Sequence, residues 1–171
     1  MKNCLYPQWF VLYVRYRYEK KVAFLLEEKN IKVFSPFVDS MSIWSDRKKK
    51  IQKPLFPNYV FVWINSMIDF YTALSLEGVV KYVRFGADYA HVQEKEIVQI
   101  KQILDIADIS EIDLTSVLPC QGTEMKINYG PLQGFDCIVL KADRRRKILV
   151  KVESIQHYIT ACVPESYLSP R

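Results

Sequence analysis

Lys53-Pro54-Leu55-Phe56-Pro57-Asn58-Tyr59-Val60-Phe61-Val62-Trp63-Ile64 is the stretch on which the fold of the N-terminal part of this chain turns. Tyr59 to Ile64 is an unbroken run of apolar and aromatic residues of β-favouring type, closed by Pro57-Asn58 before it and Asn65-Ser66 after it. A run that short, with turn residues at both ends, predicts a strand buried on both faces. The two prolines exclude regular structure just upstream, yet Leu55 and Phe56 between them are large and apolar. An extended, proline-stiffened loop can hold Phe56 at a fixed angle on a surface. Ordinary burial preference offers the other reading, in which Phe56 plugs one end of the core.

Upstream, Trp9 to Val14 is a second apolar strand, leading into Arg15-Tyr16-Arg17-Tyr18, where bases and aromatics alternate. Glu19 to Asn30 has helical spacing, with Val22, Leu25, Leu26 and Lys29 on one face and Glu19 where the helix dipole favours an acid. Lys32 to Val38 predicts a strand, bent or at an edge because of Pro36. Met41 to Ile51 predicts a hairpin-like excursion tipped by Arg47-Lys48-Lys49-Lys50. Downstream of the central strand, Ser66 to Leu76 predicts a helix burying Met67, Phe70, Tyr71 and Leu74. Val79 to Phe85 predicts a further strand, and Glu94 to Ala107 a third helix with Ile97, Ile100, Ile103, Leu104 and Ala107 inward. This order describes an α/β sandwich of the split βαβ kind.

Over residues 108–119 the helical period is lost and Pro119 closes the segment, which predicts a linker in which Ile112, Leu114 and Val117 could dock. Beyond it, Met125 to Ile127, Cys137 to Leu140, Ile148 to Val152 and Tyr158 to Val163 read as short strands between turns, with a basic tip at Asp143 to Lys147. Such spacing predicts a small barrel. The α+β organisation expected is therefore a sandwich over 1–107, a linker over 108–119 and a β-barrel over 120–171.

The 171 residues carry a net charge of +5, unevenly spread. Residues 1–105 hold 16 basic against 11 acidic side chains, residues 106–119 three acids and no base, and residues 120–171 eight bases against five acids. Two basic modules across an acidic bridge are each tolerant of a polyanion. No apolar run reaches the ~20 residues of a membrane span, and Met1-Lys2-Asn3-Cys4 lacks a signal-peptide core, so a cytoplasmic protein is expected. The cysteines at 4, 120, 137 and 162 share no short spacing and read as free thiols, two of them in the core. With His91 and His157 the only histidines and no phosphate-cradling loop among five glycines, neither an enzyme nor a metal or cofactor site is expected.

Trp9-Phe10-Val11-Leu12-Tyr13, Glu19 and Val22, Pro54 to Val62, Gly78-Val79-Val80 and Val83-Arg84-Phe85-Gly86 together resemble the NGN domain of the NusG family. Gly122, Gly130-Pro131-Leu132-Gln133-Gly134, the Ile138 strand and Val163-Pro164 resemble a KOW domain, although Cys137 stands where that motif usually has a smaller residue, often glycine. Arg15 to Val22 with Trp44 to Lys49 is most similar to the UpxY branch, whose members act at capsular polysaccharide operons.

The resemblance implies a non-catalytic transcription elongation or antitermination factor. Its NGN domain would bind the clamp helices of RNA polymerase through Tyr13, Phe56, Pro57, Tyr59 and Phe61, beside the non-template DNA strand. Its KOW domain, with Gly130, Pro131, Leu132 and Gly134 in the motif, would meet ribosomal protein S10 or Rho. A monomer without membrane contact is expected. Aromatic anchors beside a stiff proline turn suit an interface hot spot, while core packing is the other reading for Phe61. Arg15, Arg17, Lys20, Lys21, Arg47, Lys48 and Lys49 suit single-stranded nucleic acid, or else form solvated faces. A housekeeping elongation factor and a KOW-bearing RNA- or ribosome-binding protein are the alternatives.

Overall fold

The computed structural model describes residues 7–43, 48–105, 110–115, 123–127, 133, 136–140, 145–152, 157–164 and 168–170. The chain divides into two compact units, residues 1–94 and 95–171. In the first, β1 (Gln8–Val14) is followed by α1 (Glu19–Glu28), β2 (Val33–Phe34), β3 (Phe37–Ile43), β4 (Lys48–Pro54), β5 (Tyr59–Ile64), α2 (Met67–Ser75) and β6 (Val79–Tyr82). Three two-residue strands, β7 (Arg84–Phe85), β8 (Asp88–Tyr89) and β9 (His91–Val92), complete it. The main sheet runs β2-β5-β1-β6, with β9 also on β1, and every pairing is antiparallel.

One face of this sheet meets the helices. Alternation along β1 and β5 turns Phe10, Leu12 and Val14 and then Val60, Val62 and Ile64 toward Val22 and Leu26 of α1 and Phe70 and Ala73 of α2. Phe70 stacks on Tyr82 with ring centroids 4.0 Å apart, and the Tyr82 hydroxyl donates to the Phe70 carbonyl at 2.9 Å. Val60, Phe61, Val62 and Ile64 of β5 are inaccessible, as expected of a strand buried on both faces, while Tyr59 and Trp63 are half-buried.

Three local expectations change. In α2, Phe70 and Ala73 face inward, while Met67, Tyr71 and Leu74 lie at the surface. The helix sets its small residue, Ala73, against the sheet, and a reading weighted toward large apolar side chains rotates the stripe by a step. Val79 to Phe85 is not one strand: Val83 N–H still donates to the Val11 carbonyl, but the chain then leaves to form the β7–β8 hairpin. Lys32 to Val38 breaks at Ser35-Pro36, after which β3 pairs along its whole length with β4. Leu55 N–H donates to the Pro36 carbonyl at 2.9 Å, tying the base of that hairpin to the proline loop.

Asn58, with φ 68°, is the centre of a local construction that joins three elements. Its N–H donates to Glu19 Oε1 at 2.8 Å, its Nδ2 donates to the Val14 carbonyl at 3.1 Å, and its own carbonyl accepts from Val14 N–H at 2.8 Å. Asparagine tolerates the left-handed region better than most residues, which suits it to this corner. Glu19 is only 3% exposed. Its acid stands at the start of α1, as the dipole argument expects, but its hydrogen bond crosses to the proline turn. The Tyr18 side chain before it caps nothing.

The second unit holds α3 (Glu94–Asp105) from Lys95 onward, β10 (Ser110–Thr115), β11 (Thr123–Ile127), β12 (Asp136–Leu140), β13 (Arg145–Val152), β14 (His157–Pro164) and β15 (Leu168–Pro170). The sequence reading carried the first domain through this helix to residue 107. Ile97, Ile100 and Ile103 are buried as expected. The strands form an antiparallel sheet ordered β10-β14-β13-β12-β11-β15. Among the described residues no pairing joins β10 to β15, so the sheet is open along this path where a barrel was expected.

Residues 110–115, inside the expected linker, form β10 against β14. The signal was a two-residue alternation, Glu111-Ile112-Asp113-Leu114, which suits a strand with one face inward. Arg145 to Lys147 likewise extend β13 instead of forming a turn. Cys137 and Cys162 are buried free thiols. The Cys137 Sγ–H donates weakly to the Met125 carbonyl at 3.6 Å, and burial, followed by the charge of Asp136, pushes this thiol up to about 11.

Two outcomes follow from these constructions. Glu19→Ala should destabilise the protein by about 1–3 kcal/mol, because the Asn58 N–H loses its bond to a buried carboxylate, and Glu19→Gln should recover part of that loss. Denaturant titration of the three proteins measures both. Cys137 should resist alkylation at pH 8 in the folded protein and react readily in denaturant. Its folded pKa is raised, so its contribution to stability is full below the unfolded thiol value of ~8.5 and is lost as pH rises from there toward about 11.

Candidate functional site

The face of the first sheet opposite the helices is aromatic. The β1–β5 register sets Trp9 against Trp63, Val11 against Phe61 and Tyr13 against Tyr59. Ring centroids are 5.5 Å apart in the Trp9–Trp63 pair and 5.8 Å in the Tyr13–Tyr59 pair, both edge to face. Phe34 on β2 lies 6.0 Å from Phe61. Phe56, delivered by the proline loop, meets Phe61 at 5.0 Å with planes 85° apart. Lys32 Nζ lies over both tryptophans, at 5.1 and 5.4 Å, and reaches Glu94 at 3.9 Å. Trp9 Nε1 donates to the same carboxylate. At the tyrosine end, Lys81 Nζ is 6.0 Å from the Tyr13 ring.

The sequence-predicted aromatic set thus shares one sheet face and its bordering turn, but not one depth. Phe56 and Phe61 are 1% and 0% exposed. Tyr13 and Tyr59 are half-buried and Pro57 is exposed. The accessible part of the set is consequently a tyrosine pair beside a proline, next to two buried phenylalanines that pack on each other.

A second feature begins two residues after Tyr13. Arg15 to Tyr18 closes a β-turn, with Tyr18 N–H donating to the Arg15 carbonyl at 3.0 Å and Arg17 at φ 65°. The turn rests on Gly78: Arg15 N–H donates to its carbonyl at 2.8 Å, and a Cβ there would overlap the Tyr18 ring. Gly78 also has φ 95°, where a side chain is strained.

Arg15, Arg17, Lys20 and Lys21 are exposed on this turn and the first turn of α1. Lys21 pairs with Glu77 at 2.8 Å and lies over the Tyr18 ring. That hydrogen bond raises the Lys21 pKa and holds the Glu77 carboxyl below its usual range, helped by the Lys21 charge and by Arg15. Lys20 Nζ donates to Gln52 Oε1 at 3.2 Å and sits 4.7 Å from the Phe37 ring centroid, linking α1 to the β3–β4 hairpin. Among the described residues Arg17 has no carboxylate within ion-pair distance.

Lys48 and Lys49 belong to β4 by their backbone pairing with Ile43 and Ser42. Arg47 and the KOW residues Gly130, Pro131, Leu132 and Gly134 lie outside the described residues. Sequence reasoning did not single out Asn58, Tyr16 or Lys81 as site residues. Asn58 carried a signal, a turn-forming residue after proline, whereas the place of Lys81 beside Tyr13 follows only from strand register. Among the described residues no group of three or more His, Cys, Asp or Glu could hold a metal, and no helix is long and apolar enough to cross a membrane.

Residues 7–101 match a family model described as "Transcription termination factor nusG". Among solved structures, the one described as "Domain interaction in Thermotoga maritima NusG" is similar in fold, with a TM-score of 0.58 and 21% sequence identity. The match covers 96% of this chain and 97% of that one.

Truncations should separate support from surface. Phe56→Ala should cost about 3–5 kcal/mol of stability, as for other buried aromatics, and Tyr59→Ala distinctly less. Denaturant midpoints for the two variants check the order.

Proposed function

Because this chain belongs to the NusG family, whose members are non-enzymatic transcription elongation and termination factors that bind RNA polymerase, we propose that it is a specialised antitermination member promoting readthrough of long operons. The observation that carries this reading is the pairing, at one end of β1, of an aromatic face with a basic turn. Tyr13, Pro57 and Tyr59 form the contact with the polymerase clamp helices, and Phe56 and Phe61 hold that contact at a fixed height from below. Rigid aromatic side chains lose little rotamer entropy on docking, which favours this division of labour.

Arg15, Arg17, Lys20 and Lys21 contact the non-template DNA strand in this reading, and the sequence run Arg47-Lys48-Lys49 adds a second basic element to that contact. The Lys20 bond to Gln52 supports treating turn and hairpin as one basic surface. Resemblance of the Arg15 to Val22 and Trp44 to Lys49 tracts to the UpxY branch favours capsular polysaccharide operons as targets. The strands from residue 123 onward constitute a KOW-type domain in the same reading, with ribosomal protein S10 or Rho as its partner. The family match runs through residue 101, which favours carrying the NGN domain into α3.

The test pairs two assays. Reversing the charges of Arg15, Arg17, Lys20 and Lys21 together should abolish factor-dependent readthrough in vitro while competition for RNA polymerase stays near wild type. Tyr59→Ala should do the opposite, lowering polymerase affinity by roughly thirtyfold with its fold intact, as expected for a hot spot of about 2 kcal/mol. Readthrough at wild-type level after the charge reversals would make the cluster a solvated face.

A further inference from the structure

Tyr16 is 68% exposed although it is aromatic and sits at a fixed place in the backbone. Its position is set by the Arg15–Tyr18 turn, which the Gly78 carbonyl and the Tyr18 ring hold from behind. Arg17, at φ 65°, occupies a turn position where glycine or asparagine is favoured. The Arg17 guanidinium lies 5.1 Å from the Tyr16 ring centroid. The turn accounts for the Arg17 backbone, whereas core packing does not account for Tyr16, since the ring that packs against the core is Tyr18.

We propose that Tyr16 is a stacking platform for one unpaired base of single-stranded DNA, with Arg15 and Arg17 taking the flanking phosphates. This rests on the reading of the basic turn as a DNA surface and adds the residue that would engage a base. Every base has a π-face, so an exposed tyrosine between cations accepts an unstacked nucleotide with little sequence preference. Glu77 is paired with Lys21 and also feels the charge of Arg15, whereas Arg17 has no carboxylate within ion-pair distance among the described residues. Gly78 is the positioning residue in this proposal: without a Cβ it lets Tyr18 lie on the backbone, behind the turn that carries Tyr16.

The experiment measures binding of the full-length protein to a fluorescein-labelled twelve-nucleotide oligothymidine over a range of salt. Tyr16→Ala should weaken binding about tenfold, within the range for losing one base–aromatic stack, with the slope of log affinity against log salt unchanged. Tyr16→Phe should bind as wild type. Arg17→Ala should instead flatten the salt slope by about 0.7, the contribution of one phosphate on a single strand. Binding to a duplex of equal length should not depend on Tyr16. Wild-type affinity in Tyr16→Ala, with binding lost in the Arg15/Arg17 charge reversal, would overturn the platform and leave the DNA surface standing. No oligonucleotide binding by the wild type, while polymerase is still captured, would overturn both. A Tyr16→Ala defect confined to polymerase capture would assign the ring to a protein contact and overturn the platform.

Discussion

Asn58 holds the first unit together where its working surfaces meet. Its N–H is bound by a buried carboxylate from α1, its side chain by the carbonyl of Val14, and its carbonyl by the N–H of Val14. Three bonds on one residue connect the proline loop, the end of β1 and the start of α1. The bond to the carboxylate contributes about 1.5–3 kcal/mol and each neutral bond about 0.5–1.5 kcal/mol. The lock also fixes register. With Asn58 tied to Val14, Tyr59 must lie opposite Tyr13, and the rest of the β1–β5 ladder follows residue by residue. A slip by one residue would send the aromatic side chains to the helix face.

From that register the sheet acquires two unlike faces. One carries Phe10 and aliphatic side chains against α1 and α2, closed by the stacked Phe70 and Tyr82. The other carries the aromatic ladder from Trp9–Trp63 to Tyr13–Tyr59. Its tryptophan end is closed by Lys32 and Glu94, whereas its tyrosine end stays half-buried beside the exposed Pro57. The basic turn leaves β1 at the tyrosine end, one residue past Val14, and is backed by Gly78. Polymerase contact and DNA contact, in the function proposed, are therefore properties of one end of one strand.

The second unit is built on simpler terms. Its sheet alternates Ile127, Val139, Ile148, Val150, Val152, Ile159 and Ala161 inward along antiparallel neighbours. Cys137 takes a buried strand position there, where a small side chain fits and its neutral thiol is favoured. The strand formed by residues 110–115 shows how a polar–apolar alternation can escape notice when acids make a segment look like a connector.

Local order in the sequence determined much of this protein. The unbroken run Tyr59–Ile64 specified a two-sided buried strand, Pro57-Asn58 the turn before it, and the spacing of Val22 and Leu26 the buried face of α1. These follow from side-chain period and backbone preference, which act over a few residues. The family resemblance was legible for the same reason, since its motifs are contiguous. Depth was not legible: Phe56 and Tyr59 are both aromatic and three residues apart, yet Phe56 packs on Phe61 beneath the surface while Tyr59 stays partly accessible. Nor was orientation within Arg15-Tyr16-Arg17-Tyr18, where the missing Cβ of Gly78 makes room for the Tyr18 ring while Tyr16 lies exposed. The stripe of α2 turned on Ala73, whose small size matters only against the sheet it meets. In each case the deciding contact lies across the fold, and only tertiary packing brings those atoms together.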